Sequence, residues 1–380
     1  MKKKQTKFLP FFVICILLLS GALVGYFVAK MGIQNTTAFL KSIRIALLLS
    51  LIPIFFIAIS VHEAGHVLAG SWVNFNCKMY VVGPFMWNKV DTGWRFNWNK
   101  NLNVAGGMAV CLPSGSNDLS KRFSIYAAGG PVASLLLSIV AYLLSRIIAV
   151  YEVPGKELLQ FISSLFMLIA LMSAFIFILT AVPMHVGGFS SDGARVLRLQ
   201  RGGDAARFEV LILKIITGSC SGIRPKLLDM EDLLEAQTLV KKIDAPNGVY
   251  LHSYFYQAAF DRNDIEKAEI HLQNFIAEAH QIPESMRNIV WLDACFFYAF
   301  AKRDHEQALA YWQKFKASAF VSKAQIFATE AALGYVSNER DLVLLKIENS
   351  LRELPGMMDK GVAIALEEKL LTLKKMINNA

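Results

Sequence analysis

The sequence predicts a mainly α-helical fold: a polytopic membrane helix bundle with a small interfacial β segment, followed by a soluble α-helical, repeat-like domain. Of the 380 residues, 54% are hydrophobic and 18% are charged, a composition that a single water-soluble domain does not have. Long apolar runs lie before about residue 200, whereas charged residues are frequent after it. These observations predict two parts that fold in different solvents.

Charge and cysteine content argue against a nucleic-acid-binding protein and against a protein built on disulfides or a thiolate metal site. In a membrane protein the formal net charge of +9 reports topology and contact with the lipid bilayer, so we expect no nucleic acid partner. The five cysteines are scattered, odd in number and without a Cys-x-x-Cys pair. We therefore expect reduced thiols, with neither a disulfide framework nor a thiolate metal site.

Four apolar runs are long enough to cross the roughly 30 Å hydrocarbon core of a bilayer, at about 8–29, 40–70, 124–150 and 158–183. For the first run the alternative is a secretory signal peptide, but its length favours an uncleaved helix. The basic segments fall on one side of these runs, and by the positive-inside rule that side is cytoplasmic. We expect a multi-pass integral membrane protein of a bacterial plasma membrane with both termini in the cytoplasm.

This pattern divides the chain into three predicted domains. They are an N-terminal transmembrane helix with its outer turn in 1–38, a membrane core in 39–200 with a strand-rich loop at about 73–122, and a cytoplasmic helical domain in 201–380. Aromatic and β-branched residues punctuated by glycine and proline predict short strands in that loop. The strands are either an aromatic anchor belt at the headgroups or an edge that an extended peptide joins through backbone hydrogen bonds, with Tyr80–Phe85 as the candidate segment.

Two histidines and a glutamate lie within the second apolar run, in the stretch His62-Glu63-Ala64-Gly65-His66. Residues four apart share one face of a helix, so both imidazoles can bind one metal ion while Glu63 reaches a water beside it. On a soluble helix this motif is often a chance match, but ionisable groups at membrane depth are costly and usually functional. The motif predicts a zinc (Zn2+) site with Glu63 as general base, the arrangement of zinc-dependent proteases.

A catalytic zinc site needs a third protein ligand besides two histidines. Asp192 follows the fourth apolar run at the predicted depth of the two histidines, and His185 is the other histidine of the membrane half. The residue pattern leaves both candidates open.

Three motifs follow one another in the membrane half: His62-Glu63-Ala64-Gly65-His66 in an apolar run, Ala128-Gly129-Gly130-Pro131-Val132-Ala133-Ser134 at the start of the third run, and Ser191-Asp192-Gly193 after the fourth. In this order they resemble the site-2 protease family of intramembrane zinc metalloproteases. The resemblance covers about residues 40–200, roughly half of the chain.

The resemblance implies that His62, His66 and Asp192 bind zinc and that Glu63 is the general base. It implies a zinc metalloendopeptidase that hydrolyses a peptide bond of a membrane-embedded protein or peptide precursor. The alternative is a catalytically inactive membrane scaffold that recruits cytosolic partners.

Two segments of the C-terminal part are alike at an offset of 40 residues, Asn263–Phe275 and Arg303–Phe315, and a looser third lies near Asn338–Leu351. The shared positions are Asp264/Asp304, Glu266/Glu306, Ala268/Ala308 and Phe275/Phe315. This period resembles tetratricopeptide repeats, which are helical hairpins. Such arrays bind proteins, so we expect a cytosolic protein partner through residues 205–380; helix pairs that pack on themselves are the alternative.

Overall fold

The computed structural model describes residues 38–90, 93–99, 106–150, 157–186, 189–243, 248–282, 284–317 and 321–378. The membrane helix predicted at about 8–29 lies outside these residues. The described chain contains long apolar helices, one four-stranded sheet and a helical C-terminal region. The predicted fold class, a mainly α membrane protein with a small β segment, is confirmed.

Three of the described helices are long and apolar enough to cross a membrane: α1 (Ala38–Trp72), α2 (Leu119–Val150) and α3 (Glu157–Ala181). Much of their surface is apolar and exposed, as at Leu136, Ile139 and Leu143 of α2. Such a surface is unfavourable in water and suits hydrocarbon, and the helices satisfy their own backbone hydrogen bonds. The chain is therefore a membrane protein.

The membrane helices pack through small and aliphatic residues. Leu47 and Ile54 of α1 pack against Leu168 of α3. Helices α1 and α2 approach each other closely at Gly65 and Gly129. A Cβ added to either glycine would overlap the backbone oxygen of the other. This close approach of two backbones is typical of membrane helices, where small residues allow van der Waals contact.

The described chain separates into two compact units. The first contains α1, residues 106–109 and residues 121–197. The second contains the described residues of 76–105, 110–120 and 198–380. The domain boundaries predicted at 38 and 200 remain predictions.

The predicted strands form a sheet in the order β3-β2-β1-β4, from β1 (Phe75–Val82), β2 (Phe85–Val90), β3 (Gly93–Trp98) and β4 (Met108–Pro113). Strands β1 to β3 are antiparallel neighbours, and their register sets Phe85 opposite Trp98 and Trp87 opposite Phe96. These four aromatic side chains share one face, since alternate residues of a strand point the same way. Because β1 is an inner strand, the segment Tyr80–Val82 is not at an edge of the sheet; β3 and β4 are.

A short hairpin, β5 (His185–Val186) and β6 (Phe189–Ser190), precedes the C-terminal helices. These helices are α4 (Asp192–Arg201), α5 (Gly203–Cys220), α6 (Met230–Ile243), α7 (Val249–Asp261), α8 (Ile265–Ala277), α9 (Glu284–Phe297), α10 (His305–Lys314), α11 (Lys323–Val336), α12 (Arg340–Glu353) and α13 (Lys360–Asn378).

Three helix pairs of this region share one turn geometry. Asn263, Arg303 and Asn338 each have a positive φ, at 64°, 54° and 61°, between α7 and α8, α9 and α10, and α11 and α12. After the first two turns, the side chains of Asp264 and Asp304 accept hydrogen bonds from the N–H three residues on and cap the next helix. The repeated sequence therefore corresponds to repeated local structure, and kinship with tetratricopeptide repeats remains a prediction.

Candidate metal centre

Three predicted ligands converge at one point of the first unit. Nε2 of His62 lies 3.3 Å from Oδ2 of Asp192, and Nε2 of His66 lies 3.4 Å from the same oxygen. One ligand atom from each residue lies within 4.8 Å of the other two. Both histidines are buried at 5% and 6% exposure, because their positions four apart on α1 direct them to the same inward face.

The Nδ1 nitrogens of both imidazoles each contact an oxygen of the protein. Nδ1 of His62 lies 2.9 Å from Oγ of Ser134, and Nδ1 of His66 lies 2.9 Å from the backbone oxygen of Tyr126. A carbonyl oxygen can only accept, so Nδ1 of His66 is the donor in this contact, and Nε2 of the same ring faces Asp192. Metal-binding histidines are usually held in this way, with the second ring nitrogen donating to the protein.

Space for a ligand between the imidazoles depends on Gly130. A Cβ added there would lie 2.7 Å from Nε2 of His62 and closer still to Nε2 of His66. Side chains larger than glycine would therefore occupy the position from which both Nε2 atoms are reached. This is the tertiary reason for a glycine directly before Pro131 in α2.

Asp192 is positioned by its two neighbours at the start of α4. Oγ of Ser191 donates to the backbone oxygen of Val182 at 2.8 Å and accepts from the N–H groups of Met184 and Ala194 at 3.0 and 3.2 Å. The residue after Asp192 must be small, because a Cβ on Gly193 would overlap the backbone oxygen of Ala181. The Ser-Asp-Gly sequence thus fixes the carboxylate close to the end of α3.

Glu63 lies beside this group and is 7% exposed. Its carboxylate accepts a hydrogen bond from the backbone N–H of Ala109, whose carbonyl accepts from the hydroxyl of Tyr126 at 2.6 Å. Gly107, at φ +102°, lies against the same carboxylate, since an added Cβ would be 2.5 Å from Oε1. The carboxylate is therefore held in one place by backbone groups.

Two opposing effects act on the pKa of Asp192, a residue that lies outside the membrane spans. Burial disfavours its charged form, but hydrogen bonds with His62 and His66 outweigh this and hold the pKa of Asp192 below its usual range. Asp192 is therefore a carboxylate at neutral pH, the form that binds a cation.

This donor set fits zinc. Two imidazole nitrogens and one carboxylate oxygen are common zinc ligands, and three protein ligands leave a position for water or substrate. The fit rests on the backbone oxygen of Tyr126 at Nδ1 of His66, the oxygen of Ser134 at Nδ1 of His62, and the space that Gly130 leaves before both Nε2 atoms.

The structure brings together His62, His66 and Asp192 and places Glu63 next to them. The other candidate ligand, His185, lies in β5, and its side chain is outside the described part of the structure.

Sequence reasoning missed the groups that hold these residues. Ser134 ends the motif Ala128–Ser134, but its spacing from His62 did not predict a contact between the two residues. The carbonyl of Tyr126 and the N–H of Ala109 are backbone groups, which every sequence contains. Gly107 belongs to a Gly-Gly pair in the sequence. Such a pair predicts a turn, but it does not show that the turn lies against Glu63.

Comparison with protein families matches part of the chain. Residues 50–172 match the sequence profile of Peptidase family M50, the site-2 proteases, and this segment contains His62, Glu63, His66 and Ser134 but ends before Asp192. No curated protein and no solved structure matches the chain. The segment that carries the histidine pair is thus similar to Peptidase family M50, which supports a membrane metalloprotease.

Proposed function

We propose that the protein is an intramembrane zinc endopeptidase that hydrolyses a peptide bond of a membrane-embedded protein or peptide precursor. The observation that carries this proposal is the convergence of Nε2 of His62 and Nε2 of His66 on Oδ2 of Asp192, beside the buried Glu63. Similarity to Peptidase family M50 supports it.

His62, His66 and Asp192 would hold the zinc ion. A zinc ion bound there would act as a Lewis acid toward the scissile carbonyl and lower the pKa of water. Ser134 and the carbonyl of Tyr126 keep the two imidazoles in the orientation that this requires.

Glu63 is the proposed general base. Its carboxylate takes a proton from the attacking water and delivers it to the leaving amine, so the carboxyl group ends the cycle unchanged. The N–H of Ala109 holds one side of the carboxylate, which orients Glu63 toward the ligand group rather than toward lipid.

A substrate must be extended at the scissile bond, because the carbonyls of a helix are engaged in its own hydrogen bonds. Strands β3 and β4 are the outer strands of the sheet among the described residues, so they replace Tyr80–Phe85 as the strands that an extended substrate would join.

The remaining proposals concern location and partners. The protein would be a multi-pass protein of a bacterial plasma membrane with both termini in the cytoplasm, since its basic segments fall on one side of the apolar runs. Residues 205–380 would bind a cytosolic protein that controls access of the substrate.

The decisive experiment compares wild-type protein with Glu63→Gln and Asp192→Ala in membranes and after purification in detergent. We expect Glu63→Gln to retain zinc but to accumulate uncleaved precursors in a membrane proteome, and Asp192→Ala to lose both zinc and cleavage. Asp204→Asn, which removes a carboxylate of α5 paired with Lys242, is the matched control and should behave as wild type.

Two outcomes would contradict the proposal. Retained cleavage in Glu63→Gln would remove this residue from the mechanism. Wild-type protein that binds no zinc would favour the alternative, a catalytically inactive scaffold that recruits cytosolic partners through its helical domain.

A further inference from the structure

Two cysteines lie on neighbouring strands of the four-stranded sheet, Cys77 on β1 and Cys111 on β4. Both are thiols, and their side chains form a hydrogen bond with each other. A second contact joins the same stretch of chain, from Nδ2 of Asn76 to Oγ of Ser114 at 2.6 Å. The sheet therefore holds the two sulfurs in contact, although the cysteines are 34 residues apart in the chain.

This arrangement meets the geometric requirement of a disulfide. Neighbouring strands lie about 4.8 Å apart, and a disulfide needs Cα atoms about 4.4–6.8 Å apart. Because the thiols of Cys77 and Cys111 already touch, side-chain rotation can close the bond while the strands stay in place.

The two thiols differ in their access to solvent. Cys77 is partly exposed, whereas Cys111 is 5% exposed. Sγ of Cys77 donates its one hydrogen to the backbone oxygen of Met79 at 3.6 Å, so its sulfur is the acceptor in the contact with Cys111. An oxidant from solvent therefore reaches Cys77 first, and Cys111 lies beside it as the thiol that can resolve the oxidised sulfur.

The surroundings of Cys77 favour the thiolate, which is the reactive form of cysteine. The hydrogen bond with Cys111 is the main cause that lowers the pKa of Cys77, and the positive charge of Lys89 acts in the same direction. Burial instead raises the pKa values of Cys220 in α5 and Cys295 in α9 to about 12. Cys77 should therefore react faster than either of these two buried thiols.

We propose that Cys77 and Cys111 form an oxidation site that hydrogen peroxide converts to a disulfide between β1 and β4. First, the thiolate of Cys77 attacks one peroxide oxygen, the O–O bond breaks, hydroxide leaves and Cys77 becomes a sulfenic acid. Next, the sulfur of Cys111 attacks the sulfur of Cys77, the S–O bond breaks, and the departing hydroxyl group takes the thiol proton of Cys111 and leaves as water.

The atoms and electrons of these two steps balance. The first hydroxide takes up the proton that Cys77 released, so one peroxide and two thiols give one disulfide and two water molecules. The two sulfurs are oxidised and peroxide accepts their two electrons. A dithiol reductant reverses the change by thiol–disulfide exchange.

The disulfide would fix an outer strand of the sheet. Strand β4 is the outer neighbour of β1, and the bond would close a loop that contains β2 and β3. Because a cross-link removes open conformations of the chain that it closes, local opening of β4 would become rarer after oxidation.

The test treats reduced, full-length protein in detergent with hydrogen peroxide and maps its peptides by mass spectrometry without prior reduction. We expect a pair of peptides linked through Cys77 and Cys111, which dithiothreitol separates. The thiol of Cys77 should be lost at least about tenfold faster than those of Cys220 and Cys295, the internal controls. Amide hydrogen exchange of β4 should slow several-fold after oxidation, while exchange of α10 stays unchanged.

Two variants separate the two steps. In Cys111→Ala the second step cannot occur, so Cys77 should accumulate as a sulfenic acid that dimedone traps. In Cys77→Ser, a conservative change at a partly exposed position, Cys111 should remain a thiol under the same treatment.

Three results would each overturn the oxidation site: absence of the linked peptides, a sulfenic acid that persists at Cys77 of the wild-type protein, and loss of Cys220 and Cys295 as fast as Cys77. Linkage that forms only after unfolding in urea would also overturn it, because the sheet would then not hold the pair together. Unchanged hydrogen exchange of β4 in the linked protein would overturn the proposed effect on that strand.

Discussion

Oγ of Ser134 on α2 lies 2.9 Å from Nδ1 of His62 on α1, and Ser134 is 0% exposed. The contact joins two membrane helices and fixes the ring of a proposed zinc ligand. Because such outer contacts orient the ligand, we predict that Ser134→Ala lowers zinc affinity about 10- to 100-fold. Competition with a zinc chelator in detergent measures the change.

The control for this prediction is Ser138→Ala, one turn further along α2, whose hydroxyl bonds the backbone oxygen of Ala170 instead. It should keep wild-type zinc affinity. Equal losses in both variants would mean that general packing of the helices, not the contact with His62, sets the affinity.

Gly130→Ala should remove the metal site while α2 remains helical. Its Cβ would occupy the space in front of Nε2 of both His62 and His66, and neither ring can withdraw without losing its outer hydrogen bond. We expect zinc content well below one ion per chain, measured on purified protein. Gly106→Ala, where an added Cβ meets nothing within 4 Å, should bind zinc normally, and a fully loaded Gly130→Ala protein would refute the assignment.

Asp304→Ala tests the repeated turn of the helical region. The carboxylate of Asp304 accepts from the N–H of Gln307 at 3.0 Å and caps α10. Loss of a cap from a domain of this size should lower the Tm of the helical region by roughly 2–4 °C. Glu306→Ala removes an exposed carboxylate two residues later, and the prediction fails if it is as destabilising.

Asp293 should make stability depend on pH. Its folded pKa of about 7 lies above its ordinary value of 3.8, so between these values the folded state binds more protons than the unfolded state. The free energy of unfolding therefore falls as pH rises through this window, by at most about 1.4 kcal/mol per pH unit. Above about pH 7 this contribution is lost.

The measurement is the difference in Tm between wild-type protein and Asp293→Asn from pH 5 to pH 8. We expect wild type to lose stability relative to the variant as pH rises. The pH range ends at 8 because Lys369, which lines the same pocket as Asp293, begins to titrate there. Burial lowers the pKa of Lys369 to about 8. Parallel curves for the two proteins would show that Asp293 titrates normally.

The sequence predicted those parts of the site that depend on local periodicity. Two histidines four apart in a helix share a face whatever surrounds them, so His62 and His66 were identifiable as a pair. Asp192 could only be ranked beside His185, because its place depends on how α4 begins against the end of α3.

Which strands lie at the edges of the sheet could not be predicted from the sequence, for the same reason. Strand propensity predicted strands near Tyr80–Phe85, but it does not say which strand is central. Pairing of β1 with both β2 and β4 makes β3 and β4 the edges, which moves the proposed substrate contact away from Tyr80.

The sequence by itself determined the class of protein, its apolar spans, the histidine pair and the alike segments at an offset of 40 residues, because each follows from composition, periodicity or repetition along the chain. Only the tertiary structure decided which groups hold the site: Ser134 on His62, the carbonyl of Tyr126 on His66, and the N–H of Ala109 on Glu63. Ser134 is 72 residues from His62 in the chain, and Tyr126 is 60 residues from His66. Contacts at such separations exist only once the helices have packed, and no local pattern encodes them.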